Sequence, residues 1–137
     1  MRVVLDTNIL VSFALSPQGR AAMILRALAA GAFEVVTSAS ITAEYRAALL
    51  YDRVRRRSGM NEEQIDTVLR PFIAAQVLPA VIAPPCRDPK DDQFLAAAVC
   101  GQADYIVSVD EDLLVIVSYR GIRILSPGAF LAVMASA

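Results

Sequence analysis

Acidic side chains are where this sequence concentrates its chemistry, because it contains no histidine. That absence removes Ser-His-Asp and Cys-His hydrolysis, histidine-assisted RNA cleavage and histidine-containing zinc sites. Carboxylates remain, and Asp6, Glu44, Asp88, Asp91, Asp92, Asp110 and Asp112 fall in four short stretches: LDTN, AEY, DPKDD and VDED. Gathered carboxylates with few cations among them repel one another unless a hard, oxygen-preferring ion such as Mg²⁺ or Mn²⁺ sits between them. Residues 88–112 hold seven acids against Lys90, the sole lysine, whereas residues 46–57 hold Arg46, Arg53, Arg55, Arg56 and Arg57 against Asp52. A net charge of -1 therefore conceals an acidic part suited to a cation and a basic segment suited to phosphate. The two cysteines, Cys86 and Cys100, match neither a disulfide framework nor paired zinc ligands and read as buried or indifferent thiols.

Short β-branched runs alternating with Ala/Leu-rich stretches predict an α/β scaffold with a parallel sheet, a single domain over residues 1–137. RVVL is the first strand and ends at Asp6. A helix from about Asn8 breaks around Pro17 and Gly19, resumes through AAMILRALAA and stops at Gly31. FEVVTS is the second strand, Ser38 or Ser40 caps the helix ITAEYRAALLYDRV, and RRRSGMN is a loop before a helix that Asn61 caps. VLPAVIAPP reads as a third strand and CRDPK as a polar loop. The helix DDQFLAAAVCGQA follows, then the strand DYIVSV, the helix EDLLVIVS, the strand GIRIL and a closing helix after Pro127. Asp6 and Asp110 each follow a strand directly, where ligand sites of open α/β sheets form, and Glu44 lies in the first turns of a helix opening on the same edge. Charges interrupt every apolar run before the roughly 18 residues a spanning helix needs, and Asp6 and Asn8 break the opening segment where a leader's apolar region would lie. The expectation is a cytoplasmic chain with no membrane partner.

VVLDTN, Glu44 on a later helix, DPKDDQFLAAAV and YIVSVDEDLL together resemble the ordered acidic motifs of PIN-domain ribonucleases, especially the VapC-type toxin components of bacterial toxin–antitoxin pairs. Each motif is short, and their order and strand-end setting carry the resemblance, which covers nearly the whole chain. It implies a three-layer α/β/α fold around a five-stranded parallel sheet. It also implies a catalytic, metal-binding tetrad of Asp6, Glu44, Asp92 and Asp110, with Asp112 as a further ligand and Asn8, Ser108 and Asp91 in support. The third position is shared among Asp88, Asp91 and Asp92, of which one need be a ligand. The chemistry implied is hydrolysis of RNA phosphodiesters with Mg²⁺ or Mn²⁺, leaving a 5′ phosphate and a 3′ hydroxyl, with an antitoxin protein and a second copy of the chain as partners. Arg53, Arg55, Arg56 and Arg57 are the candidate RNA contacts.

Each residue also has an ordinary explanation. Asp6 and Asn8 suit the start of a helix, Glu44 suits a pair with Arg46 or Arg20, Asp91 and Asp92 suit a first helical turn, and Asp110 suits a cap. Tyr45 and Tyr51 read as packing residues. A haloacid-dehalogenase-like phosphatase also begins with an Asp after strand one, and a receiver-like domain would share the acidic pocket and Mg²⁺. A haloacid-dehalogenase-like phosphatase needs a second Asp where Asn8 stands, and a receiver-like domain needs a lysine beyond a late strand, where none is found. A catalytically silent PIN-like binding module is the non-enzymatic alternative. The apolar spacing of Ile65, Val68, Leu69, Phe72 and Ile73 marks one helix as either wholly core or partly a dimer surface.

Overall fold

In RVVL an arginine precedes three aliphatic residues, and these form β1 (Arg2–Leu5), with Val3, Val4 and Leu5 fully shielded from solvent. Successive strand residues point to opposite faces, so a run buried at every position has both faces of the sheet covered. Ile106 and Val107 in β3 (Tyr105–Val107) repeat the pattern. The computed structural model describes residues 1–75 and 93–136. Within them, β1 is followed by α1 (Thr7–Leu15), α2 (Arg20–Ala29), β2 (Glu34–Val35), α3 (Ala39–Leu50), α4 (Asp52–Ser58), α5 (Glu62–Ala74) and α6 (Gln93–Cys100). After β3 come α7 (Glu111–Leu114), β4 (Ser118–Tyr119), β5 (Ile122–Leu125) and α8 (Pro127–Ser136).

The five strands lie in the order β2-β1-β3-β5-β4. β2, β1, β3 and β5 are parallel, with Leu5 opposite Val107 and Val107 opposite Leu125. The chain moves from β1 to one side and returns to the other, so the order reverses between β1 and β3, the position at which open α/β sheets form their ligand crevice at the carboxyl ends of the strands. β4 is antiparallel to β5. Arg120 and Gly121, both with left-handed φ of 51° and 82°, make the two-residue turn that joins them, a geometry whose twist matches the strands.

The α/β fold with a five-stranded, mostly parallel sheet is the one the sequence implied, and several elements differ in detail. The stretch EDLLVIVS gives only the single turn α7, and the chain then reverses into β4, an edge strand the sequence reading did not contain. RRRSGMN is not all loop: Arg55, Arg56 and Arg57 belong to α4, which Gly59 ends in the left-handed conformation (φ 70°). The long helix expected from Ile41 is instead divided at Tyr51, whose extended ψ of 131° separates α3 from α4. Asn61 caps α5 as expected, and Gln64 reciprocates in a capping box. Cys100 is disulfide-bonded rather than an indifferent thiol; Cys86, the stretch VLPAVIAPP, the loop CRDPK and Asp88, Asp91 and Asp92 lie outside the described residues. Among the described residues no helix is long and apolar enough to cross a membrane.

Candidate active site

Asp6 is the first residue past β1 and stands before α1, where a side chain usually turns back to cap the helix. Its carboxylate makes no capping bond. It is 6 % exposed, and its Oδ2 accepts a hydrogen bond of 2.6 Å from Ser108 Oγ, across the β1–β3 crevice. The adjacent strand ends hold this pair in register: the Asp6 amide donates to the Val107 carbonyl at 2.9 Å, and the Ser108 amide donates to Leu125 at 3.0 Å. Ser108 is itself fully buried, and the same Oγ accepts from the Asp110 amide at 2.9 Å. One hydroxyl therefore positions a carboxylate from β1 and the backbone of a second acid after β3. Asp110 caps α7, its Oδ1 accepting from the Asp112 amide at 2.9 Å, so the ordinary explanation of this residue holds alongside any other role.

Glu44 reaches the same edge from α3, whose start is fixed by Ser38 accepting from the Ile41 amide. It pairs with neither Arg46 nor Arg20. Thr7, the neighbour of Asp6, donates to Glu44 Oε2, and Gln93 Nε2 donates to Glu44 Oε1 at 2.7 Å. Gln93 in turn accepts from Ser40 Oγ at 3.3 Å, so the first turns of α1, α3 and α6 are tied together through Glu44. Sequence reasoning missed Thr7 and Gln93; their position beside acidic motifs was the available signal. Arg46 instead pairs with Asp66 on α5.

Beneath the acids, Tyr45 is fully buried and donates its hydroxyl to the Leu5 carbonyl, immediately before Asp6. Burial, together with the negative charges of Asp6 and Glu44, raises its pKa well above the ordinary tyrosine range, although a hydrogen bond with Thr37 opposes the shift. The hydroxyl stays protonated and fixes the strand end from which Asp6 projects. Its ring packs edge-on against Phe72 at 5.1 Å, consistent with a packing residue, whereas Tyr51 is exposed.

Asn8 is exposed on the first turn of α1 and Asp112 is exposed on α7. Among the described residues no three carboxylates come close enough to hold a metal ion, and the candidate third acids Asp88, Asp91 and Asp92 fall outside them. The donors that do meet at this edge are hard oxygens with no histidine or thiolate among them, a set that suits Mg²⁺ or Mn²⁺ rather than zinc. Arg53, Arg55, Arg56 and Arg57 are all exposed on α4; Arg56 has a loose pair with Asp52 at 3.7 Å, too solvated to hold it in place.

Residues 2–112 match the family model of the PIN domain. The chain belongs to the PIN-domain family. It is also 31 % identical over 116 residues to an uncharacterized protein of Methanocaldococcus jannaschii, covering 83 % of this chain and 74 % of that one. No solved structure matches the chain. PIN domains are in general nucleases that use divalent metals, so membership gives the chain nuclease-type activity on nucleic acid as its general class.

Proposed function

We propose that this PIN domain is a Mg²⁺- or Mn²⁺-dependent endoribonuclease and the toxin of a toxin–antitoxin pair. The observation that carries the nuclease reading is the Ser108 hydroxyl, which binds the Asp6 carboxylate and the Asp110 amide at the switch point of the sheet. Asp6 and Asp110 are the direct ligands in this reading, and Asp92, with Asp91 or Asp88 as its alternative, supplies the third. Glu44, its two oxygens oriented by Thr7 and Gln93, is the fourth, and Asp112 a further one. Asn8 orients water or a carboxylate at the rim. The ions, when bound, supply positive charge opposite the scissile phosphate and a more acidic water. The chain contributes positioning: Ser108 keeps Asp6 from turning into a helix cap, and the Tyr45 bond to Leu5 holds the strand end. In the overall reaction a water oxygen bonds to phosphorus, the bond to the 3′ oxygen breaks, and that oxygen takes up a proton. The products are a 5′ phosphate and a 3′ hydroxyl.

Incubating the chain with single-stranded RNA, with and without EDTA and with p-nitrophenyl phosphate alongside, tests the reading. RNA cleavage abolished by EDTA and by Asp6→Asn or Asp110→Asn supports it. Hydrolysis of p-nitrophenyl phosphate without RNA cleavage would point to a phosphatase-like site, and binding without cleavage to a silent module. Comparing Asp92→Asn, Asp91→Asn and Asp88→Asn assigns the third ligand by the largest loss. Growth arrest on expression of the wild-type chain, absent with Asp6→Asn, tests the toxin role, and its relief by a co-expressed antitoxin tests the pairing.

Arg53, Arg55, Arg56 and Arg57 are assigned to the RNA backbone because they stand exposed on one short helix. Their joint replacement by alanine should weaken binding and flatten its salt dependence. A homodimer completes the proposal. Of the apolar residues on α5, Ile65, Leu69 and Phe72 are used by the core, while Val68 is half-buried and Ile73 is 50 % exposed. Light scattering at micromolar concentration should give about twice the 14.7 kDa of one chain.

A further inference from the structure

One strand over from Ser108, the same sheet edge changes character. Ser126 follows β5 just as Ser108 follows β3, and a cavity of about 330 Å³ opens there, lined by Ser12, Ser16, Arg20, Val109, Ser126 and Gly128 among others. Three serines and one arginine are among its lining residues, Ser126 Oγ accepts from the Ala129 amide at 3.2 Å, and no carboxylate among the described residues lines it. Its wall includes Val109, the residue between Ser108 and Asp110, so it adjoins the acidic crevice directly. Adjacent strands are about 4.8 Å apart, which places Ser126 roughly 10 Å from the end of β1, two strand spacings away.

Arg20 is exposed at the start of α2. It makes no ion pair or hydrogen bond among the described residues, yet its side chain lies against the first turn of α8. A Cβ added at Gly128 would sit 3.2 Å from its Nη1 and 3.4 Å from its Cζ, so only a glycine leaves the guanidinium this position without displacement. A planar cation with five donors beside three serines, in a hollow whose wall is otherwise largely apolar, matches the geometry of a phosphate. The acids next door cannot take a second phosphate without more cation, whereas this cavity carries its own positive charge.

We propose that the Arg20 cavity binds a backbone phosphodiester of the substrate strand, next to the one placed at the acids, with the serine hydroxyls as additional donors. This rests on the nuclease reading and extends it: the strand crosses the carboxyl edge from the β1–β3 crevice toward β5, and Arg20 fixes its register.

The test uses the full chain with Asp110→Asn, which keeps RNA intact, and a fluorescein-labelled single-stranded oligouridylate read by anisotropy over a salt series in Mg²⁺. Adding Arg20→Ala should weaken binding about tenfold and reduce the salt slope by about 0.7, the loss of one single-strand phosphate contact. Arg20→Lys should restore most of the slope but less of the affinity, because it keeps the charge and loses the fork. Arg123→Ala removes the same charge from the opposite end of β5, beside Asp104, and should leave the slope unchanged. In the active chain, Arg20→Ala should raise KM with kcat nearly constant. An unchanged slope in Arg20→Ala, or an equal fall in Arg123→Ala, overturns the subsite while leaving the nuclease intact. A wild-type chain that neither binds nor cleaves RNA overturns the nuclease reading and the subsite with it.

Discussion

Replacing Ser108 by alanine removes a single oxygen and disturbs two acids at once. The hydroxyl is fully buried, donates to Asp6 at 2.6 Å and accepts from the Asp110 amide at 2.9 Å. A hydrogen bond to a charged group contributes about 1.5–3 kcal/mol, and a part-buried amide deprived of its acceptor costs about 1 kcal/mol. Removing the hydroxyl also removes its own desolvation cost, so a net loss of about 2–3 kcal/mol is expected. For a domain of this length each kcal/mol moves Tm by about 4 °C, giving a fall of about 8–12 °C by calorimetry. The functional effect separates from the structural one through the metal. Partners that orient a ligand typically contribute 10–100-fold in metal affinity or activity, so the Mg²⁺ concentration giving half-maximal cleavage should rise by about that factor. Ser108→Thr retains the hydroxyl and should recover the metal response even if its extra methyl costs some stability. A Ser108→Ala chain within about 0.5 kcal/mol of wild type, with an unchanged Mg²⁺ response, would refute the idea that this hydroxyl organises the acids.

Thr7→Val and Gln93→Leu each free one oxygen of Glu44, and each should lower cleavage about tenfold with little change in Tm, since both bonds are exposed. Tyr45 should titrate only when the chain unfolds: the folded state keeps it neutral where an unfolded chain ionises it, so its contribution is whole below the ordinary tyrosine pKa of about 10 and is lost as pH rises above that value. Alkaline difference absorbance followed with circular dichroism checks this, and ionisation of Tyr45 while the fold persists would contradict it. Gly101→Ala would bring a Cβ to 2.3 Å from Val36 Cγ1 and 3.1 Å from the Ala97 carbonyl, and should cost about 1–3 kcal/mol in urea unfolding. Mg²⁺ or Mn²⁺ should raise Tm of the wild-type chain and leave Asp6→Asn nearly unchanged, as expected for ligands that bind only the folded site.

The sequence by itself determined the kind of chemistry, because the absence of histidine leaves only carboxylates for hydrolysis, and composition needs no coordinates. It also determined the strand that ends at Asp6 and the existence of β3, since runs such as RVVL and YIV bury both faces and betray themselves by continuous hydrophobicity, although DYIVSV reads as running on through Ser108 to Val109 where β3 stops at Val107. Asn61 showed the start of α5 for a similar reason: a cap bonds a residue three positions on, here Gln64, whose side chain the structure shows closing the box. Where competing local preferences are close, the sequence misled. Arginine is a good helix former, so RRR continued into α4 until Gly59 stopped it, and VIVS left its helix because pairing with β5 satisfied its backbone through a turn that only the hairpin makes evident. What only the tertiary structure decided is which distant side chains hold Asp6 and Glu44. Ser108 and Asp6 are 102 residues apart, Glu44 and Gln93 are 49 apart, and Arg20 finds Gly128 from the far end of the chain. Such pairs carry no periodicity and no local signature. They exist because parallel strands place distant residues at one edge, and the order in which those strands stack is set by packing of the whole core rather than by any segment of it.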